Sequence, residues 1–320
     1  MFVRRGVLLV ASLTLGCILC SCATGTFKVR RTSAEYSKYI KGLLNDRLGQ
    51  IDEAVDYYHQ AQDYDEQVPA LHVQLGLDYI RLKKFKESVS EFEKAVRLAP
   101  DDDYARYVLA LLYIQFNDFK KAAQQYEKLL ERSLNDKAQN IQLRRILSQL
   151  YFLDEDYASA KKQCEKILQL DPLDASALYF LAMIASEEGE TQKAIESFKE
   201  LLAHYPDDAD AMNSLAYIYV EQNEELDKAL ALSEKAVESE PANGAFLDTL
   251  GWIYFKSGET DKAVGYLERA SQLLLDPVIL NHLAEAYQKQ GKLKEAKERW
   301  TTSLKLDPTQ KDVRETLKKL

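Results

Sequence analysis

Leu250-Gly251-Trp252-Ile253-Tyr254, then Ala263, then Leu267-Glu268-Arg269-Ala270, is the stretch whose reading decides the fold of this chain. Its small residue recurs as Gly42, Gly76, Ala110, Ser148, Ala182, Ala216, Gly251 and Ala284, 34 residues apart wherever nothing is inserted or missing. A leucine precedes most of these positions, at Leu75, Leu109, Leu147, Leu181, Leu215, Leu250 and Leu283. Three residues beyond the small position stands Tyr79, Tyr113, Tyr151, Tyr219, Tyr254 or Tyr287. Further on comes a second small residue, at Ala54, Ser88, Ala122, Ala160, Ala194, Ala229, Ala263 and Ala296. A bulky residue follows it, as at Tyr58, Phe92, Tyr126, Phe198 and Trp300.

The spacing has a mechanical reason. Small residues at one point on each of two antiparallel helices let the backbones approach, and a bulky residue fills the space beside them. Between these markers the apolar positions recur at three- and four-residue steps, the period of an amphipathic helix. All seven prolines, Pro69, Pro100, Pro172, Pro206, Pro241, Pro277 and Pro308, fall at unit boundaries. Proline starts helices and breaks their interiors, so this placement independently supports the register. Gly49, Gly189, Gly258 and Gly291 fall between the two helices of their units, where a helix C-cap requires positive φ. Acidic pairs such as Asp101-Asp102-Asp103 and Asp207-Asp208 sit at the turns between units and are expected to be solvated caps. Three irregularities interrupt the period: four extra residues at 137–140, one extra in 223–226, and one missing before Asp276. The first is the place to look for a bend or for a lengthened helix.

Working outward, the 320 residues are 46% hydrophobic and 29% charged, which excludes a wholly disordered chain. Twelve Gly and seven Pro are too few for a loop-rich all-β protein. Lys and Arg total 42 against 51 Asp and Glu, a net charge of −9. Such a surface repels nucleic acid, and no nucleic-acid partner is expected.

The N-terminus reads as an address. Arg4 and Arg5 precede an uncharged run from Gly6 to Leu19, shorter than the roughly 20 residues a spanning helix needs. Leu19-Cys20-Ser21-Cys22 resembles a bacterial lipobox. That resemblance implies cleavage after residue 21, lipidation of Cys22 and retention by its acyl chains, each buried CH₂ contributing about 0.8 kcal/mol. Ala23 rather than Asp after the cysteine implies the outer membrane, facing the periplasm. A lipobox ending at Cys17, an ordinary signal cleaved near Ala23 and an uncleaved anchor are the alternatives. Residues 22–34, with Lys28, Arg30 and Arg31, form a short tether. Cleavage would leave Cys164 as the sole unlipidated cysteine, so no intramolecular disulfide is expected.

The repeated pattern resembles the tetratricopeptide repeat. The resemblance implies an all-α, right-handed α-solenoid of eight helical hairpins at 35–68, 69–102, 103–136, 141–174, 175–208, 209–243, 244–276 and 277–310. Residues 311–320, with Val313, Leu317 and Leu320, would form a capping helix, and Thr32-x-x-Glu35 a capping box. In this family the first helices line a concave groove. The residues matching its positions are Tyr39, Leu77, Tyr107, Leu111, Ile114, Arg145, Phe152, Tyr179, Met183, Tyr217, Asp248, Trp252 and Phe255. An exposed face this apolar and aromatic is expected to hold a partner polypeptide, although several of these side chains could instead pack against neighbouring repeats. No repeat has the Lys and Asn pair with which carboxylate-clamp members grip acidic tails.

Chemistry is not in evidence. His59, His72, His204 and His282 fall in different repeats without ligand partners at metal spacing. His72 and Cys164 occupy packing positions, and no phosphate loop or nucleophile motif occurs. The expectation is therefore a non-enzymatic monomer without cofactor or metal. It would be a membrane-anchored scaffold or assembly factor of the bacterial envelope, with a periplasmic holdase for outer-membrane or secreted clients as the alternative.

Overall fold

The computed structural model describes residues 33–320, with side chains from Tyr36 onward. The leader, Cys22, the tether and the Thr32 side of the capping box lie outside these residues. Among the described residues the regular structure is entirely helical, in seventeen helices. They fall into two compact units that divide at residues 170 and 171.

The N-terminal unit holds four antiparallel pairs: α1 (Ser33–Arg47) with α2 (Ile51–Gln62), α3 (Pro69–Arg81) with α4 (Phe85–Leu98), α5 (Asp103–Gln115) with α6 (Phe119–Arg132), and α7 (Lys137–Leu153) with α8 (Tyr157–Leu170). The C-terminal unit holds α9 (Ala175–Glu187) with α10 (Thr191–His204), α11 (Ala209–Gln222) with α12 (Leu226–Ser239), α13 (Gly244–Lys256) with α14 (Thr260–Leu273), α15 (Pro277–Lys289) with α16 (Leu293–Leu306), and a final α17 (Lys311–Lys319).

Each pair closes as the spacing requires. A Cβ on Gly76 would stand 2.6 Å from the ring of the fully buried Phe92, and one on Gly251 would stand 2.7 Å from Leu267. Only hydrogen at those positions lets the two helices meet. The turns inside the pairs pass through the left-handed region, at Gly49, Gly189, Gly258 and Gly291 with φ of 76–84°. In the other four pairs the same role falls to Lys83, Asn117, Glu155 and Asn223, which carry the steric cost that glycine avoids. Turns between pairs end in N-caps: Asp102 accepts from the Ala105 amide at 3.0 Å and Asp208 from the Ala211 amide at 2.8 Å. The acidic pairs are caps, which satisfy otherwise orphaned backbone donors.

The four extra residues at 137–140 lengthen α7 to 17 residues, against 13–15 in the other first helices. α17 packs Val313 and Leu317 onto the last pair and leaves Leu320 exposed.

Candidate functional site

In four of the first helices the recurring tyrosine ties its pair to the preceding one. Tyr113 donates to Glu93 at 2.6 Å, Tyr151 to Glu127 at 2.5 Å, Tyr254 to Glu234 at 3.2 Å and Tyr287 to Glu268 at 2.6 Å. Each carboxylate belongs to the second helix of the preceding pair, so this aromatic row faces away from the first-helix surface.

That surface differs between the units. In the N-terminal unit Tyr107 stands 45% exposed on α5, its ring braced edge-on against Tyr126 at 6.1 Å. Tyr39, Leu77, Leu111, Ile114 and Arg145 are half-buried beside the core. Burial raises the Tyr39 hydroxyl above its ordinary pKa. At the α1–α3 end, the Arg81 guanidinium binds both Asp46 and Asp78, the latter at 3.2 Å. Asp78 is only 1% exposed, and its Oδ2 has no donor. Burial, then the neighbouring Asp46 charge, pushes its pKa up to about 7 against the opposing pull of Arg81. Two carboxyl groups so placed hydrogen-bond only when one is protonated.

In the C-terminal unit Tyr179 is held edge-on against Phe198 at 5.8 Å, and its hydroxyl lies 3.2 Å from Ser214 Oγ on α11. Tyr217 is half-buried, and burial together with Glu221, Asp248 and Glu187 raises its hydroxyl well above the usual range. Trp252 donates its indole N–H to Glu221 Oε1 at 2.8 Å. Its ring stacks on His282 at 3.9 Å and on Phe255 at 4.9 Å, with Lys256 Nζ 4.6 Å from the ring centre. His282 Nδ1 lies 3.0 Å from Asp248 Oδ2, one repeat away. Burial opposes charge on His282, and the Asp248 carboxylate more than offsets it, raising the imidazole. Burial also raises Asp248, against the pull of His282.

Four expected surface residues are not on the surface. Phe152 and Met183 are each 1% exposed, Asp248 0% and Trp252 5%. Asp248 and Trp252 pack against His282 of the next repeat, and Phe152 stands 5.6 Å from Tyr157 within its own pair. Tyr39, Leu77, Tyr107, Leu111, Ile114, Arg145, Tyr179, Tyr217 and Phe255 keep some exposure. The structure adds Glu221, His282 and Glu285, together with the Asp46, Asp78 and Arg81 group. The signal for these was the period itself, since Asp248 and His282 stand 34 residues apart and Asp46 and Arg81 stand 35 apart.

His72, Glu91 and Cys164 are buried within the helical pairs. His72 lies 2.6 Å from Glu91 and 2.7 Å from the Glu66 carbonyl, buried between α3 and α4. Burial raises Glu91, yet bonds from His72 and Lys94 together hold it below its usual pKa. Cys164 is a buried thiol. Among the described residues, no group of three or more His, Cys, Asp and Glu is placed to hold a metal ion. No described helix is long and apolar enough to cross a membrane.

A tetratricopeptide repeat profile matches residues 73–137, 147–202 and 182–244, and further profiles of the same repeat match 36–68, 247–277 and 277–310. The chain belongs to the tetratricopeptide repeat family. A TPR repeat-containing protein of Pseudomonas aeruginosa is 31% identical over 114 residues, 36% of this chain and only 19% of that protein. The photosystem I assembly protein Ycf3 of Synechococcus is 29% identical over 118 residues, 34% of this chain and 68% of that protein. A crystallised tetratricopeptide repeat protein from Parabacteroides merdae superposes with a TM-score of 0.57 at 18% identity, over 80% of this chain and 99% of that one. That similarity places the fold among the α-solenoids built of such hairpins. Tetratricopeptide arrays serve protein–protein interaction, and this one has the stacked helical pairs that role requires.

Proposed function

We propose that the chain is a scaffold or assembly factor that holds partner polypeptides on its first-helix face and works by binding rather than by turnover. One observation carries this reading: Tyr107 stands on the first-helix face 45% exposed, while Tyr39 and Tyr179 at the same place in their repeats are half-buried. A tyrosine braced by a second ring and open to solvent is the kind of rigid, amphipathic anchor that dominates polypeptide interfaces. An assembly protein among the relatives that share the repeat region supports the same role. Replacing Tyr107 with a photo-crosslinking residue should yield a small set of discrete adducts. The same residue at Lys120, exposed on α6, should yield none of them. Equal adducts from both positions would move binding to another surface.

We further place the protein at the bacterial envelope, anchored through Cys22 and facing the periplasm from the outer membrane. The support is the charge, length and ending of residues 1–22. Cys22→Ser should shift the protein from the membrane to the soluble fraction, and unchanged membrane retention would refute anchoring at that residue. A holdase for many unfolded clients is the second reading, favoured by the partly exposed apolar side chains Leu77 on α3 and Leu111 and Ile114 on α5. It predicts suppressed aggregation of unrelated clients, where a scaffold predicts one or two retained partners.

A further inference from the structure

On the C-terminal unit the first helices α11, α13 and α15 lie side by side, and the side chains they share are unlike those of the N-terminal unit. Tyr217 and Glu221 are four residues apart on one face of α11, as are Trp252 and Lys256 on α13. Glu221 is exposed, and Tyr217, Phe255 and Glu285 are half-buried. Trp252 forms the floor. It is tied to Glu221 by its indole N–H and is covered by the rings of His282 and Phe255. Asp248 beneath is matched by His282. Glu221 on α11 and Glu285 on α15 bring carboxylates to that floor, and Lys256 Nζ lies 4.6 Å from the centre of the Trp252 ring.

We infer that this aromatic floor with its two carboxylates is a seat for a lysine or arginine side chain of a partner polypeptide, and that Lys256 occupies it in the unbound protein. The inference rests on the first-helix binding proposed above and names the chemistry of its ligand. Three features support it. Carboxylates beside aromatic faces are the environment in which a cation is best held, through charge and the ring quadrupole together. The site already has a cation over its aromatic floor, which shows that the geometry accepts one. Glu285 is also half-buried: burial raises its pKa against the pull of His282 and Lys256, with a smaller contribution from Glu221. A cation there offsets the cost of burying that charge, whereas an acidic ligand would add to it.

The test uses the full chain and three fluorescein-labelled twelve-residue peptides with one shared apolar pattern. The peptides carry lysine, glutamine or glutamate at the charged positions, and binding is read by fluorescence anisotropy. The lysine peptide should bind about tenfold more tightly than the glutamine peptide, with the glutamate peptide weakest, and the preference should shrink with added salt. Glu221→Gln with Glu285→Gln keeps shape and the indole acceptor but removes the charge, and should abolish the preference. Lys256→Met empties the seat and should tighten the lysine peptide, which mere misfolding would not do.

Equal binding of the three peptides, all weakened by Tyr217→Ala, would overturn the cation seat while leaving the first-helix reading standing. Binding of none of the three would also overturn the seat, and the first-helix reading would then rest on the Tyr107 crosslink alone. Self-association of the chain that disappears in the double glutamine variant would reassign the seat to a second copy, whose α16 carries Lys294, Lys297, Arg299 and Lys305, and would overturn the assignment to a separate partner.

Discussion

Asp78 offers a quantitative test of how the N-terminal unit handles buried charge. Its carboxyl group is almost wholly enclosed between α1, α2 and α3, next to Asp46, with only Arg81 to offset it. Its pKa rises from 3.8 in the unfolded chain to about 7 in the fold. The folded state therefore holds a proton that the unfolded chain has already lost, and stability falls as pH rises between those values. Integrated from pH 5 to pH 7, this single group removes about 2 kcal/mol. Asp78→Asn cannot ionise, and its amide can donate to Asp46, so the variant should match the parent near pH 5 and exceed it by about 2 kcal/mol at pH 7. Urea unfolding followed by circular dichroism at the two pH values gives the difference directly, because other titrating groups cancel between parent and variant. Parallel pH dependence in the two proteins, or a variant less stable at pH 7, would refute the assignment.

Other perturbations probe the hairpins and the His282 stack. Gly76→Val should cost about 1–3 kcal/mol through overpacking against Phe92, read as a lower urea midpoint with helical content retained. Lys83→Gly should stabilise by about 1 kcal/mol, because a lysine now sits at a φ of 58° that glycine adopts freely. For His282, the upward shifts of both imidazole and Asp248 mean that this pair's stabilisation declines as pH rises through the histidine's elevated pKa. Asp248→Asn should move the pH midpoint of Trp252 fluorescence downward, since the ring stacks on His282 and senses its charge. An unmoved midpoint would break that link.

Much of the fold was legible because the period ties local and long-range structure together. The small residue faces a bulky one sixteen positions later, so Gly76 with Phe92 and Gly251 with Leu267 follow from the spacing. Prolines and turn glycines marked the ends of the helices for separate, backbone reasons. The insertion at 137–140 was less legible: a bend and an extra helical turn need the same four residues, and the strong helix formers of α7 favoured the turn. Side-chain direction was the weakest point. Phe152, Met183 and Trp252 follow the family's groove positions, but a large apolar residue there can equally turn into the core, and these three are buried. Asp248 looked like a surface carboxylate because its partner, His282, lies a full repeat away. The recurring tyrosines carried no hint of their glutamate acceptors, which vary in spacing from 19 to 24 residues.

The central claim is that partners are held by the first-helix face. Its most direct test is a quantitative crosslinking pull-down from intact cells, comparing the native chain with the Tyr107→Ala, Tyr217→Ala double variant at matched helical signal. The account predicts one or two partners retained by the native chain and lost from the variant. An identical partner set from both proteins would contradict it.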